Sequence, residues 1–111
     1  MGTHGADGAD GVALLVPGAR VPDGCADAGT APPASRVADL VAAGERVLVT
    51  LETDAREPDS GLLAAASVYA WLGARALRVP ASQAAAVRDV LDMVASIRGE
   101  RPPAETRRGL A

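Results

Sequence analysis

Short apolar runs alternate with helical segments along this chain, and that alternation limits the possible folds more than any other feature. Runs that are apolar on both faces are typical of parallel strands covered on each side. The runs lie at 12–18, 46–52 and 75–79, and the helical patterns lie at about 35–43, 60–73 and 82–98. The order predicts an α/β fold, a three-stranded parallel βαβαβα unit with right-handed crossovers. A small open three-layer sheet with the same connectivity is the alternative.

The predicted elements define one domain over residues 12–99. Residues 1–11 are rich in Gly, Ala and Asp and are expected to form a flexible lead-in. Residues 100–111 contain Pro102 and Pro103 and are expected to form a flexible tail. Residues 19–34 are rich in Pro, Gly and Ala and are predicted to be a long loop, which in a small domain is either functional or mobile.

Composition excludes several classes of function. The net charge of −3 provides no field that attracts nucleic acid or an anionic membrane, so neither is expected as a partner. No apolar run approaches the ~20 residues that span a bilayer, and the start has no apolar core of a secretory signal. Cys25 is the single cysteine, so no intramolecular disulfide forms. We therefore expect a cytoplasmic protein.

No motif of an enzyme active site is present. The sequence contains no phosphate-binding P-loop, no G-x-G-x-x-G and no G-x-S-x-G. The acidic residues of 52–59 match no calcium-binding loop, and no histidine or cysteine lies near them to complete a metal site. We predict no catalytic residue, no metal and no cofactor.

Arg78 is the residue with the clearest binding chemistry. It stands next to the end of an otherwise apolar strand, and ligands of parallel α/β folds bind at the carboxyl ends of strands. A guanidinium there, with Ser82 at the start of the next helix, suits a phosphate group. The alternative, favoured on charge alone, is an ion pair between Arg78 and Glu52 or Asp54.

The segment 60–73 predicts contact with another protein. It is apolar almost all round, and Ser67 is the only polar residue in its middle. Such a helix is normally covered on more than one side, by the domain's own core or by a partner. A homo-oligomer or a protein partner is therefore expected.

Three stretches of the chain resemble the dihydropteroate synthases, pterin-binding TIM barrels of folate biosynthesis. They are RVADLVAAGERVLVTLE, LLAAASVYAWLGARALRV and AAAVRDVLDMVASIRG, and VALLVPG is similar to an earlier strand ending in Asp-Pro-Gly. The resemblance covers roughly residues 12–99 and identifies a truncated and degenerate relative of the C-terminal part of that family. It implies a fold like part of a TIM barrel, which in full needs about 200 residues or more.

The ligand residues that the resemblance implies are mostly replaced. The aspartate of Asp-Pro-Gly falls on Val16, and the family's Ser-Arg-Lys falls on Glu52, Thr53 and Asp54, which inverts its charge. The final Arg-Val-His becomes Arg78, Val79 and Pro80, so only the arginine remains. Carboxylates at 52 and 54 would repel a diphosphate.

These replacements favour a non-catalytic protein of the dihydropteroate synthase type that acts through self-association or a partner, with a link to folate or pterin metabolism. Two alternatives stay open. One is a small module that binds a pterin or a phosphate ester through Arg78. The other is an enzyme completed by a second chain, although the sequence offers no acid–base pair for it.

Overall fold

A computed structural model describes residues 11–99. The predicted lead-in, apart from Gly11, and the predicted tail lie outside the described residues. The strands are β1 (Ala13–Leu15), β2 (Cys25–Thr30), β3 (Arg46–Thr50) and β4 (Ala76–Arg78). The helices are α1 (Ala34–Ala42), α2 (Ser60–Leu72) and α3 (Ala84–Arg98), and a single 3₁₀ turn (Ala81–Gln83) leads into α3.

The fold is α/β with a parallel sheet, but the sheet has four strands and not the predicted three. The additional strand, β2, lies inside the stretch that the sequence predicts to be a loop. Its residues, CADAGT, have low β propensity. Backbone pairing along β3 holds it instead, with Cys25 opposite Arg46 and Asp27 opposite Leu48, and the register shifts before Thr30.

The strand order is β1-β4-β3-β2. From β2 to β4 the chain steps to the neighbouring strand each time through one helix, as consecutive units of a (β/α) barrel do. β1 departs from this scheme because it pairs with the outer edge of β4, at the opposite end of the sheet from β2. Residues 16–24 therefore cross the width of the sheet.

The two faces of the sheet have different neighbours. Alternate residues of a strand point to opposite sides. The core beneath the helices takes Val47 and Val49 from β3 and Leu77 from β4, whereas Leu48 and Ala76 are buried but lie outside that core. We call the side that carries Leu48, Thr50, Ala76 and Arg78 the inner face.

Helix α2 forms as predicted, between a polar cap and a glycine. Asp59 caps its first turn by accepting from the N–H groups of Gly61 and Leu62. Gly73 ends it with φ of 112°, and a Cβ atom there would approach Cγ1 of Val41 to 3.0 Å. The backbone angle therefore favours glycine, and a larger residue would also have to displace the side chain of Val41.

The sheet-facing side of α2 belongs to the core. Leu62, Ala66, Tyr69 and Ala70 are buried there. The Tyr69 hydroxyl donates to the carbonyl of Pro32 at 2.5 Å, and burial raises the pKa of this hydroxyl, so it stays protonated as a donor. The opposite side of α2 is half exposed at Val68 and Trp71. The apolar helix is thus only partly covered by the chain's own core.

Candidate functional site

Arg78 lies at the carboxyl end of β4 on the inner face, and its guanidinium is held by three separate segments. Its Nε donates to the hydroxyl of Thr50 at 3.0 Å, and Nη1 donates to the carbonyl of Ala19. Its Nη2 lies 3.5 Å from a carboxylate oxygen of Asp27. The guanidinium therefore joins β4 to β3, to β2 and to the segment that crosses the sheet.

The ion pair of Arg78 differs from the one expected on charge. Its partner is Asp27 on β2, not Glu52 or Asp54. Asp27 was not predicted as the partner of Arg78 because the strand that carries it was predicted to be a loop. The side chain of Arg78 is only 17% exposed. The phosphate site at Arg78 and Ser82 stays a prediction, and a ligand there must compete with three existing contacts.

Ser82 lies in the 3₁₀ turn before α3 and also bonds within the chain. Its hydroxyl donates to the carbonyl of Ala55 at 2.9 Å and accepts from Nε2 of Gln83 at 3.1 Å. It therefore holds the connection between β3 and α2, which is the segment matched to the family's Ser-Arg-Lys.

Gln83 is the organising residue of that connection, and sequence reasoning did not identify it. It is the buried polar residue of the described chain, with no exposed surface. Its Oε1 accepts from the N–H of Asp59 at 2.9 Å, and its Nε2 donates to the carbonyls of Glu57 at 2.9 Å and Ala55 at 3.2 Å. Every polar atom of its amide is thus used to fix one loop.

Asp59 gives the same loop a second anchor. Besides capping α2, its other carboxylate oxygen accepts from the hydroxyl of Thr53 at 2.7 Å. The hydrogen bond from Thr53, followed by that from the Leu62 N–H, holds the pKa of Asp59 below its ordinary value of 3.8, although partial desolvation opposes this. The loop is therefore closed at both ends by side-chain contacts.

This lowered pKa predicts a pH dependence that the Asp59→Asn variant removes. Because the folded pKa lies below the unfolded one, the charged form stabilises the fold fully above about pH 4, and this stabilisation is lost as the pH falls through the folded pKa. Asparagine still caps a helix but does not titrate. The gap between the urea midpoints of wild type and variant should be widest at pH 7 and shrink below pH 4. Parallel midpoints from pH 7 to pH 2 would contradict this origin.

The acidic residues of the connection do not form a metal site. Glu52, Asp54 and Glu57 are exposed. Within residues 11–99 no group of three or more His, Cys, Asp or Glu side chains is placed to hold a metal ion. The carboxylates at 52 and 54 thus stand as exposed negative charges after β3.

The outer sides of α2 and α3 carry an exposed apolar surface, which we call the helical face. It consists of Val68 and Trp71 on α2 and Met93 and Ile97 on α3, each half or more exposed. At one end Arg98 lies over the indole of Trp71, with its guanidinium carbon 5.5 Å from the ring centre, and it donates to the carbonyls of Ala70 and Trp71. Arg98 thus joins the two helices and fixes the position of the indole.

Comparisons with known proteins find relatives of one kind. No family model matches it. It is similar to the inactive dihydropteroate synthase 2 of Mycobacterium tuberculosis, with 48% identity over 68% of this chain and 26% of that protein. The inactive dihydropteroate synthase 2 of Mycobacterium leprae is also 48% identical, over 56% of this chain and 21% of the relative.

None of the helices in the described part of the chain is long and apolar enough to cross a membrane.

A solved structure agrees with these sequence matches. The structure of Mycobacterium tuberculosis Rv1207 superposes with a TM-score of 0.50 and 47% sequence identity, over 63% of this chain and 28% of that one. The chain spans 26% of the length of the first curated relatives it matches. Sequence and fold together confirm the resemblance: this chain is dihydropteroate synthase-like, a partial and degenerate relative of that family.

Proposed function

We propose that this chain is a non-catalytic, dihydropteroate synthase-like protein that acts through association with a second copy of itself, in connection with folate or pterin metabolism. One observation carries the non-catalytic part. Asp27, within β2, and Arg78, at the carboxyl end of β4, are paired with each other. Charges that neutralise each other within the fold are not poised for a substrate.

The position of Asp27 strengthens this argument. The resemblance places the Asp-Pro-Gly strand before the strand that leads to Ser-Arg-Lys, and consecutive strands of a barrel are neighbours. The strand beside β3 is β2, which contains Asp27-Ala28-Gly29 before its last residue, Thr30, whereas β1, which Val16 follows, lies beside β4. Asp27 is therefore a better counterpart of the family's aspartate than Val16. A pterin or phosphate ester would need Asp27 and Arg78 separated, and they are joined.

The relatives support the same proposal. The matched proteins of Mycobacterium bovis and Mycobacterium tuberculosis are named inactive dihydropteroate synthases. The present chain also departs from the ligand pattern that the resemblance implies, since carboxylates stand at 52 and 54. These groups raise the energy of a bound diphosphate.

The helical face supports self-association. Its four residues are apolar, and α3, which provides two of them, contains two positive and two negative residues, Arg88, Asp89, Asp92 and Arg98. An isologous contact places the same patch on both subunits, so it requires a self-complementary surface. An even balance of charges on α3 suits that requirement, and it offers little attraction to a strongly acidic or basic partner. A second copy of the chain is therefore the occupant we propose.

Two measurements on the purified protein test the proposal. Native mass spectrometry should show a homodimer, and an assay of dihydropteroate formation should show no turnover. A monomer at all accessible concentrations, or a complex with a different protein only, would overturn self-association. Turnover that co-purifies with the chain and disappears in Arg78→Ala would overturn the non-catalytic assignment.

A further inference from the structure

The segment that joins β1 to β2 crosses the inner face of the sheet and is bonded to it. β1 ends at Leu15 on one edge and β2 begins at Cys25 on the other, with β4 and β3 between them. The nine intervening residues include Ala19, Val21 and Pro22, which are half-buried. We call residues 16–24 the strap.

The inner face is covered, although it lies opposite the helices. Leu48 has no exposed surface and Ala76 is 2% exposed, yet neither belongs to the core beneath the helices. Arg78 projects from the same face and donates to the carbonyl of Ala19 in the strap. The strap is thus bonded, at Arg78, to the face that would form the interior of a closed barrel.

β1, the strand that precedes the strap, pairs with the edge of β4 that β3 does not use. Val79 donates its N–H to the carbonyl of Leu15 at 3.0 Å, and Ala13 donates to the carbonyl of Arg75 at 2.9 Å. A strand from another chain that extended the sheet beyond β4 would need this same edge. β1 and the strap therefore occupy both the edge and the face that a completing barrel would use.

We propose that the strap is a built-in cap, fastened by Arg78, which must be released before any chain or ligand can occupy the inner face. Arg78 is the fastener because its one guanidinium bonds the strap, through Ala19, and the two strands β3 and β2, through Thr50 and Asp27. In this role Arg78 holds the protein in a closed form. The cap accounts for a sheet that is covered on both sides within one short chain.

Trypsin cleavage after Arg20 measures the release of the strap. Arg20 is exposed at the centre of the strap, but a protease needs the surrounding backbone to open. Losing the bonds of Arg78 in Arg78→Ala should raise the cleavage rate at Arg20 about 5- to 30-fold. The matched control is Arg88→Ala, which also removes one arginine and one tryptic site, here at an exposed position on α3, and should leave that rate unchanged.

A milder variant keeps the test decisive if Arg78→Ala does not fold. Asp27→Asn removes the ion pair alone, because the asparagine oxygen still accepts the Gly29 N–H that Asp27 now accepts at 2.9 Å. A solvent-accessible ion pair contributes about as much free energy as a 1.4- to 5-fold change, and because this pair is partly exposed, the cleavage rate should rise by about that amount. Cleavage at Arg20 that is unchanged in folded Asp27→Asn and in every folded Arg78 variant would overturn the proposal.

Discussion

Replacing Gln83 with leucine should destabilise the domain by about 3 kcal/mol and lower its melting temperature by roughly 10–20 °C. Leucine fits the volume of the site but leaves the Asp59 N–H and the Glu57 carbonyl without the partners that the amide now provides. Thermal denaturation followed by circular dichroism measures the change. The bonds that are lost hold the loop 53–59 in place, so cleavage by trypsin after Arg56 in that loop should also become faster.

Ser82→Ala is the matched control for this variant. Ser82 shares the carbonyl of Ala55 with Gln83 and is its neighbour in sequence, but it is exposed and makes a single bond to the loop. Its loss should cost no more than about 1 kcal/mol. If the two variants melt at the same temperature, the buried amide does not organise the loop as argued.

The helices and the central strands could be predicted because their residues carry a periodic apolar pattern. The predicted helix at 60–73 corresponds to Ser60–Leu72, and the predicted strand at 46–52 contains Arg46–Thr50. Both elements bury a row of side chains, and a buried row requires apolar residues at regular intervals in the sequence. The number of strands was wrong because β2 carries no such row.

The burial and pairing of β2 explain why this strand was not predicted from the sequence. Of its six residues only Ala28 is buried, and its Gly29 adopts a φ of 97°. An edge strand of this kind is stabilised by backbone bonds to β3 and by the Asp27–Arg78 ion pair, neither of which leaves a pattern in local sequence. Placing β1 beside β4 likewise depends on contacts between distant residues.

The position of Arg78 in the fold could be predicted from the sequence, but the groups that contact its guanidinium could not. Arg78 was identified from a single charge within an apolar strand, and the structure places it at the carboxyl end of β4 as expected. Its partners Ala19 and Asp27 lie 59 and 51 residues away in sequence, so no local pattern links them to it. Gln83 was missed for a related reason: a single glutamine at a helix start carries no signal until its burial is known.

The Met93→Glu variant should separate the proposed dimer into monomers. Met93 is 56% exposed on the helical face, and glutamate is a good helix former, so the isolated chain should keep its fold. Burying an unpaired carboxylate in an apolar contact costs at least about 3 kcal/mol, which corresponds to a dissociation constant raised more than about 100-fold. Light scattering combined with size-exclusion chromatography, over a range of protein concentrations, measures this shift.

Val16→Glu distinguishes a specific contact from general hydrophobic attraction. Val16 is 63% exposed, as much as the residues of the helical face, but it follows β1 and belongs to the strap. If association depends on the helical face, Val16→Glu should dimerise like wild type while Met93→Glu does not. If both variants weaken the dimer equally, the exposed apolar residues act without a defined interface. If neither does, the second copy binds elsewhere, and the open edge of β2 becomes the surface to test next because it is the sheet edge that the described residues leave without a paired strand.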